Sequence, residues 1–168
     1  MKKTYILGNG GHAQEVFEQI FLRNVINNFG GFIILKDDKH FFKYYEINIK
    51  YWPNAIAANA HISLSAQVGI GNVFLCFSMV NANAVIGNFN HFNCYSSVHH
   101  DNVMGNNNVL SPYCGLMGNV TIGNNNFLGA NVTITPKVTI GDSNTVSAGE
   151  CVFDNMDDKE FFQSGIIR

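Results

Sequence analysis

The stretch IGNNNFLGANVTITPKVTIG, from Ile122 to Gly141, places a large apolar residue at every sixth position. A fixed period of this kind is the signature of a repeat architecture, in which one structural unit is stacked on the next. The period extends in both directions through most of the chain, always with an apolar residue larger than alanine: Ile56, Ile62, Val68, Phe74, Val80, Ile86, Phe92, Val98, Met104, Leu110, Leu116, Ile122, Leu128, Ile134, Ile140, Val146 and Val152.

Glycine and asparagine carry a second period, three times as long. Both recur in every third hexapeptide, glycine from Gly69 to Gly141 and asparagine from Asn72 to Asn144. Three hexapeptides therefore make one coil, in which three short strands point large apolar residues inward, and coils stack about 4.8 Å apart. We expect each corner glycine to supply a backbone conformation that other residues adopt reluctantly. We expect the stacked asparagines to hydrogen-bond along the axis.

The first 53 residues follow a different pattern. KKTYILGNGGHAQEVFEQIF predicts a strand through Leu7, a glycine-rich turn and an amphipathic helix, and GGFIILKDD predicts a second strand that ends at Asp37 and Asp38. Such a βαβ start places phosphate-facing amides at the helix N-terminus and carboxylates after the second strand. We divide the chain into a reduced βαβ domain (1–53), a parallel β-helix (54–153) and a tail (154–168).

Composition narrows the classes of function. The net charge of −2 and the pI of about 6.3 leave no basic surface for a nucleic acid, so we expect none as a partner. No window approaches the roughly 18 apolar residues of a membrane span, and we expect a cytoplasmic protein. The four cysteines form no CxxC pair, so we expect free thiols without disulfide or zinc.

His100 and Asp101 interrupt the repeat with reactive side chains. His100 lies two positions after the inward Val98, so we expect it at a corner of the coil and outside the core. Gly118 follows three hexapeptides later and therefore lies one coil above, with its backbone amide beside the imidazole. Acyl transfer needs such a pair, because a base takes the proton of the attacking group while a fixed donor stabilises the oxyanion. Asp101 is expected to orient the ring or stabilise its protonated form.

Small residues form a second candidate feature. Ala130 and Ala148 are one coil apart and are flanked by Gly129 and Gly149. Stacked small residues leave a shallow groove along the prism. We expect this groove to suit a long, thin ligand arm such as pantetheine.

From Asn93 to Glu150 the chain resembles, without gaps, the short-chain sugar acyltransferases of the hexapeptide-repeat type. These include bacterial nucleotide amino-sugar N-acetyltransferases and sialic acid O-acetyltransferases. Their motif is an asparagine, six residues, a His-Asp or His-Glu pair, one further residue, two hydrophobic residues and a glycine. It is present here as Asn93, His100, Asp101, Val103, Met104 and Gly105. The resemblance implies a left-handed β-helix, a homotrimer and acetyl-CoA as co-substrate, with no metal.

The resemblance also implies residue roles. His100 would be the general base, Asn93 would help to hold the sugar, and the Gly118 amide would contact the acetyl carbonyl. Backbone contacts to acetyl-CoA would fall at Ala130 and Ala148. Because LGNGGHA resembles the family's YGASGHG, the nucleotide of the sugar donor would be faced by Gly10, Gly11, His12, Asp37 and Asp38.

The chain departs from the family pattern in several places, including its C-terminal FFQSGIIR, which only loosely resembles the family's Gly-x-Pro-Ala ending. His99 stands where these enzymes commonly have glutamate, and Val109 replaces a second histidine. After Asp38 about 25 residues of the nucleotide domain are missing by comparison. The missing residues affect the nucleotide half of the substrate more than the acyl half.

Four functions remain open at this point. The preferred one is direct acetyl transfer from acetyl-CoA to a sugar amine in a ternary complex, with Cys94 and Cys114 as packing residues because neither has a basic neighbour in sequence. The second makes the acceptor a hydroxyl, as in sialic acid O-acetylation. The third is a metal-dependent hydratase using His91, His99 and His100. The fourth is a non-catalytic binding protein on the same fold.

Overall fold

The structure, a computed structural model, describes residues 4–7, 29–33 and 53–164. The chain divides into two units, Met1–Trp52 and Pro53–Arg168. In the first unit, strand β1 (Thr4–Leu7) pairs in parallel with β2 (Phe29–Ile33). Parallel strands need a crossover connection, which agrees with the predicted βαβ order. The predicted glycine turn and helix lie outside the described residues, as do Gly10, Gly11, His12, Asp37 and Asp38.

The second unit is a three-sided parallel β-helix, and the predicted mainly β architecture is confirmed. Its strands have two residues each: β3 (Ala55–Ile56), β4 (His61–Ile62), β5 (Gln67–Val68), β6 (Val73–Phe74), β7 (Met79–Val80), β8 (Val85–Ile86), β9 (His91–Phe92), β10 (Ser97–Val98), β11 (Val103–Met104), β12 (Val109–Leu110), β13 (Gly115–Leu116), β14 (Thr121–Ile122), β15 (Phe127–Leu128), β16 (Thr133–Ile134), β17 (Thr139–Ile140), β18 (Thr145–Val146), β19 (Cys151–Val152) and β20 (Phe161–Phe162). Three sheets form its sides: β4-β7-β10-β13-β16-β19, β5-β8-β11-β14-β17 and β3-β6-β9-β12-β15-β18-β20. No helix among the described residues is long and apolar enough to cross a bilayer.

The hexapeptide period places the core as predicted. From Phe74 to Val152, every sixth side chain is at most 3% exposed. The rings of Phe74 and Phe92 stack inside the prism with their centroids 4.5 Å apart. The first coil differs, since Ile56 is 39% exposed and no coil of the prism lies beneath it. The six-residue spacing therefore fixes which side chains face inward, and the stacking of coils above and below determines how completely these side chains are buried.

The predicted asparagine ladder is confirmed, and Asn108 illustrates its geometry. Its backbone N and its Nδ2 donate to Oδ1 of Asn90 at 2.9 and 3.0 Å. Its Oδ1 accepts in turn from the N and Nδ2 of Asn126 at 2.9 and 3.0 Å. Nδ2 of Asn108 also donates to the carbonyl oxygen of Gly123 at 2.9 Å. The ladder thus satisfies buried polar groups on successive coils at one corner of the prism.

The corner glycines have a different role from the one predicted. Positive φ among the described glycines occurs at Gly71 and Gly149, outside the series from Gly69 to Gly141, so the expectation of an unusual backbone conformation was wrong. Close approach is the reason for this series. A Cβ added to Gly105 would lie 2.5 Å from the carbonyl oxygen of Gly123, so a side chain here would push the coils apart.

A second amide ladder, which was not predicted from the sequence, runs in the opposite direction. The backbone N of Asn106 donates to Oδ1 of Asn124 at 2.8 Å, so the acceptor belongs to the later coil. Asn124 donates in the same way to Asp142 at 2.6 Å, and Asp142 N donates to Asp158 Oδ1 at 2.8 Å. Carboxylates fit this end of the ladder because their oxygens are needed only as acceptors.

The last lap is shorter than the others. Thr145 pairs with Phe161, whereas three full hexapeptides from Thr145 would reach Gln163. Nδ2 of Asn144 consequently has no partner among the described residues, unlike the other ladder asparagines. Residues 154–168, assigned from the sequence to a tail, thus include strand β20, which stacks on β18.

Candidate active site

His100 lies at a corner of the prism, as predicted. Residues 99–102 join β10 to β11, and we call this corner, with the residues stacked on it, the His100 corner. Asn102 anchors it from inside, because Nδ2 donates to Leu116 O at 3.1 Å and Oδ1 accepts from Val120 N. Asp101 has a φ of 59°, a left-handed conformation that asparagine and aspartate tolerate better than most residues. The His100 side chain is 59% exposed and stays outside the core.

Gly118 lies directly above the imidazole. The pairing of Ser97 with Gly115 and of Val98 with Leu116 confirms a lap of three hexapeptides here. A Cβ added to Gly118 would come within 2.7 Å of both Cε1 and Nε2 of His100, so the ring occupies the space a side chain would need. The Gly118 N–H donates no hydrogen bond within the described part of the chain. A ring nitrogen and an unpaired backbone donor therefore share one exposed corner.

Asp101 contacts the other side of the ring. Its Oδ2 lies 2.8 Å from Nδ1 of His100, and its Oδ1 accepts from Nδ2 of Asn83 at 3.0 Å. The hydrogen bond with His100 and, second, that with Asn83 hold the pKa of the Asp101 carboxyl below its ordinary value of 3.8. Asp101 is therefore a carboxylate at neutral pH. This contact favours a proton on Nδ1 and leaves Nε2, the nitrogen beside Gly118, as an acceptor.

The residues assigned to the sugar and to the pantetheine arm lie at the neighbouring corner. Residues 93–96 join β9 to β10, and Ala130 and Ala148 stack above them; we call this the Ala130 corner. A Cβ on Gly129 would lie 2.6 Å from the backbone N of Ala148, so a side chain at 129 would clash with the coil above. A Cβ on Gly149 would meet nothing within 4 Å, which agrees with an open groove.

The structure thus gathers His100, Asp101 and Gly118, but it separates them from Asn93, Ala130 and Ala148. The two groups occupy opposite ends of the strands in the β10 sheet, because β10 runs from the Ala130 corner to the His100 corner. Between them the outer side of the sheet includes Ser97, which is half-buried, and its partner Gly115, which is buried. No single corner of one chain holds the whole set.

Two features near these corners were not identified from the sequence. The rings of Phe77, Tyr95 and Tyr113 stack at the Ala130 corner with centroids 5.0 and 4.9 Å apart, and all three are exposed. Asn83 contacts Asp101 at the His100 corner. In both features the contacting residues are three hexapeptides apart, and this spacing was the signal in the sequence that could have identified them.

The geometry of the described residues supports neither a cysteine nucleophile nor the metal site that a hydratase would need. Burial raises the pKa of the Cys114 thiol to about 12, so it is a packing residue and not a thiolate nucleophile. Within the described ranges, no group of three His, Cys, Asp or Glu side chains is placed to hold one metal ion. His91 belongs to the β9 strand, whereas His99 and His100 lie beyond β10 at a different corner.

Comparison with known proteins agrees with this fold. The family described as bacterial transferase hexapeptide (six repeats) matches residues 103–136. No curated protein sequence matches the chain. Several solved structures, in contrast, match at least 94% of the chain.

Acetyltransferases are among these structures. A variant of perosamine N-acetyltransferase from Caulobacter crescentus, with CoA and GDP-perosamine, is 24% identical, with a TM-score of 0.82, 96% of this chain covered and 93% of that chain. PerB from Caulobacter crescentus, with the same ligands, is 25% identical, with a TM-score of 0.76 and coverages of 94% and 92%.

The acetyltransferase domain of PglB from Neisseria gonorrhoeae, with acetyl coenzyme A, is 21% identical, with a TM-score of 0.79 and 95% of each chain covered. Identities this low establish a shared fold. The predicted resemblance to hexapeptide-repeat acyltransferases is therefore confirmed: the chain carries the bacterial transferase hexapeptide repeat on the fold of these acetyltransferases.

Proposed function

We propose that the protein transfers the acetyl group of acetyl-CoA to the amine of a nucleotide-linked amino-sugar. The observation that carries the proposal is the His100 ring, which lies against Gly118 with Asp101 on its other nitrogen. Perosamine N-acetyltransferase and PerB, which share this fold, were determined with CoA and GDP-perosamine. These ligands support both the co-substrate and the acceptor class.

The corner supplies what direct transfer requires. The amine nitrogen attacks the thioester carbonyl carbon, and Nε2 of His100 takes the proton that the nitrogen loses. The Gly118 N–H donates to the carbonyl oxygen as negative charge develops on it. When the carbon–sulfur bond breaks, the proton on Nε2 passes to the thiolate of CoA. Asp101 keeps the ring oriented and stabilises the imidazolium formed in between.

Acceptor assays test this proposal. Purified protein is supplied with acetyl-CoA and a panel of nucleotide-linked 4-amino-sugars, and both the released thiol and the acetylated product are measured. We expect turnover with at least one amino-sugar and none with sialic acid. Turnover with sialic acid alone would replace N-acetylation by O-acetylation. Binding of acetyl-CoA without turnover on any sugar would favour the non-catalytic reading.

We further propose that the active protein is a homotrimer whose site forms between subunits. The separation of the two corners supports this, since the His100 corner of one subunit can face the Ala130 corner of the next. In a closed ring of three, each His100 corner would then have one such neighbour. The corresponding groove would hold the pantetheine arm between subunits, with Asn93 near the sugar.

Mixed oligomers test the shared site. Ala130→Trp fills the groove at one corner and His100→Ala removes the base at the other, so we expect each homo-oligomer to be inactive. Co-expressed and purified as mixed trimers, the two variants should regain activity, because one interface then pairs an intact His100 corner with an intact Ala130 corner. Mixed trimers that stay inactive would place the complete site within one chain. Sedimentation of the wild type gives the oligomeric state directly.

A further inference from the structure

The contact between Asn83 and Asp101 identifies a residue of the His100 corner that the family motif does not contain. Asn83 lies one full lap before Asp101 in the sequence and therefore one coil below it. We infer that Asn83 is a positioning residue, which acts on His100 through Asp101. The inference rests on the proposed function and deepens it.

The two oxygens of Asp101 have separate partners. Oδ1 accepts from Nδ2 of Asn83 at 3.0 Å, while Oδ2 lies 2.8 Å from Nδ1 of His100. A carboxylate held at both oxygens cannot rotate without breaking one of these contacts. Asn83 is itself held, because its backbone N donates to the Ser65 Oγ at 3.1 Å. Ser65, Asn83 and Asp101 lie on three successive coils, and the contacts between them support the imidazole.

Exposure is the reason that this support matters. The side chains of His100 and Asp101 are 59% and 45% exposed, and they are adjacent in sequence on a turn. A surface pair of this kind holds its geometry weakly, because both side chains have other rotamers available in water. Asn83 restricts Asp101 to the rotamer that faces Nδ1. The ring is then kept in the tautomer with an unprotonated Nε2 beside Gly118.

The amide of Asn83 suits this role in two respects. It donates to a carboxylate without adding a charge, whereas an aspartate at 83 would repel Asp101. Asn83 also has a φ of 59°, a conformation that asparagine tolerates and that glycine adopts without strain. Asn83→Gly consequently removes the donor and keeps the backbone, which makes it a clean test.

The test compares Asn83→Gly with Asn107→Gly. Asn107 has a similar φ of 56°, but its side chain donates to Asn125 and takes no part in the His100 corner. The first readout is the ¹⁵N NMR tautomer signature of His100, identified by the resonance missing in His100→Ala. We expect Asn83→Gly to raise the share of the tautomer protonated on Nε2, and Asn107→Gly to leave it unchanged.

The second readout is kinetic. We expect Asn83→Gly to lower kcat about tenfold, by analogy with the roughly 10–100-fold loss when a group that orients a metal-binding histidine is removed. KM for acetyl-CoA should change less than about twofold. Asn83→Asp should lower kcat at least as much, and the melting temperatures of both variants should stay near that of the wild type. An unchanged His100 tautomer in Asn83→Gly would overturn the inference. A shifted tautomer in a protein that acetylates no amino-sugar would uphold the positioning role and reject the proposed function.

Discussion

Replacing His100 by alanine is expected to lower kcat by about 10²–10⁴-fold, the usual contribution of a general base. The loss follows from the position of Nε2 beside Gly118, since the described part of this corner offers no other imidazole against that amide. KM for acetyl-CoA and the melting temperature should change little, because the side chain is 59% exposed and outside the core. Initial rates at saturating amino-sugar and a thermal unfolding curve provide the two measurements.

His61→Ala is the matched control. His61 is also an exposed histidine on the prism, in strand β4 of the first coil, and its removal should leave kcat unchanged. Gly118→Ala gives an independent check, because a methyl group there would lie within 2.7 Å of the ring and displace it without removing it. Full activity in His100→Ala would rule out the proposed mechanism.

Asn108→Ala is expected to destabilise the prism by about 4 kcal/mol, the largest effect on stability that we predict. The substitution removes the Nδ2 donations to Asn90 and Gly123 and the Oδ1 acceptance from N and Nδ2 of Asn126. Each such bond contributes about 1 kcal/mol net, and each buried group left unsatisfied costs about 1–3 kcal/mol. Asn108 is fully buried, so water does not replace the lost partners. Urea unfolding followed by circular dichroism measures the change.

Asn107→Gly serves again as the control for this prediction. Asn107 is the exposed neighbour of Asn108, and its loss should change the free energy of unfolding by about 0.5 kcal/mol or less. The comparison distinguishes the stability lost with a buried ladder asparagine from the stability lost with an exposed asparagine. A free energy of unfolding for Asn108→Ala within about 1 kcal/mol of the wild type would show that the ladder is not a main source of stability.

Much of the site could be predicted because, in a stack of equal coils, the number of residues between two positions determines whether they lie next to each other. Once three hexapeptides make one lap, His100 and Gly118 must be neighbours, and the structure places them so. The contact of Asp101 with the ring was only an expectation, since a turn residue has several rotamers. Its support by Asn83 was not predicted, although the spacing of one lap was available in the sequence.

The spacing of residues along the chain fixes the period, the inward side chains from Phe74 to Val152 and the columns of residues that stack, because each inward position repeats at a fixed interval. Tertiary structure alone decided why Gly105 must be glycine, since the reason is a carbonyl oxygen one coil away and not the local φ. It also decided which rotamer Asp101 takes, because that choice depends on a donor from another coil. The period can be read along the chain, whereas the close approach of two coils and the direction of a side chain are defined only once the coils are stacked.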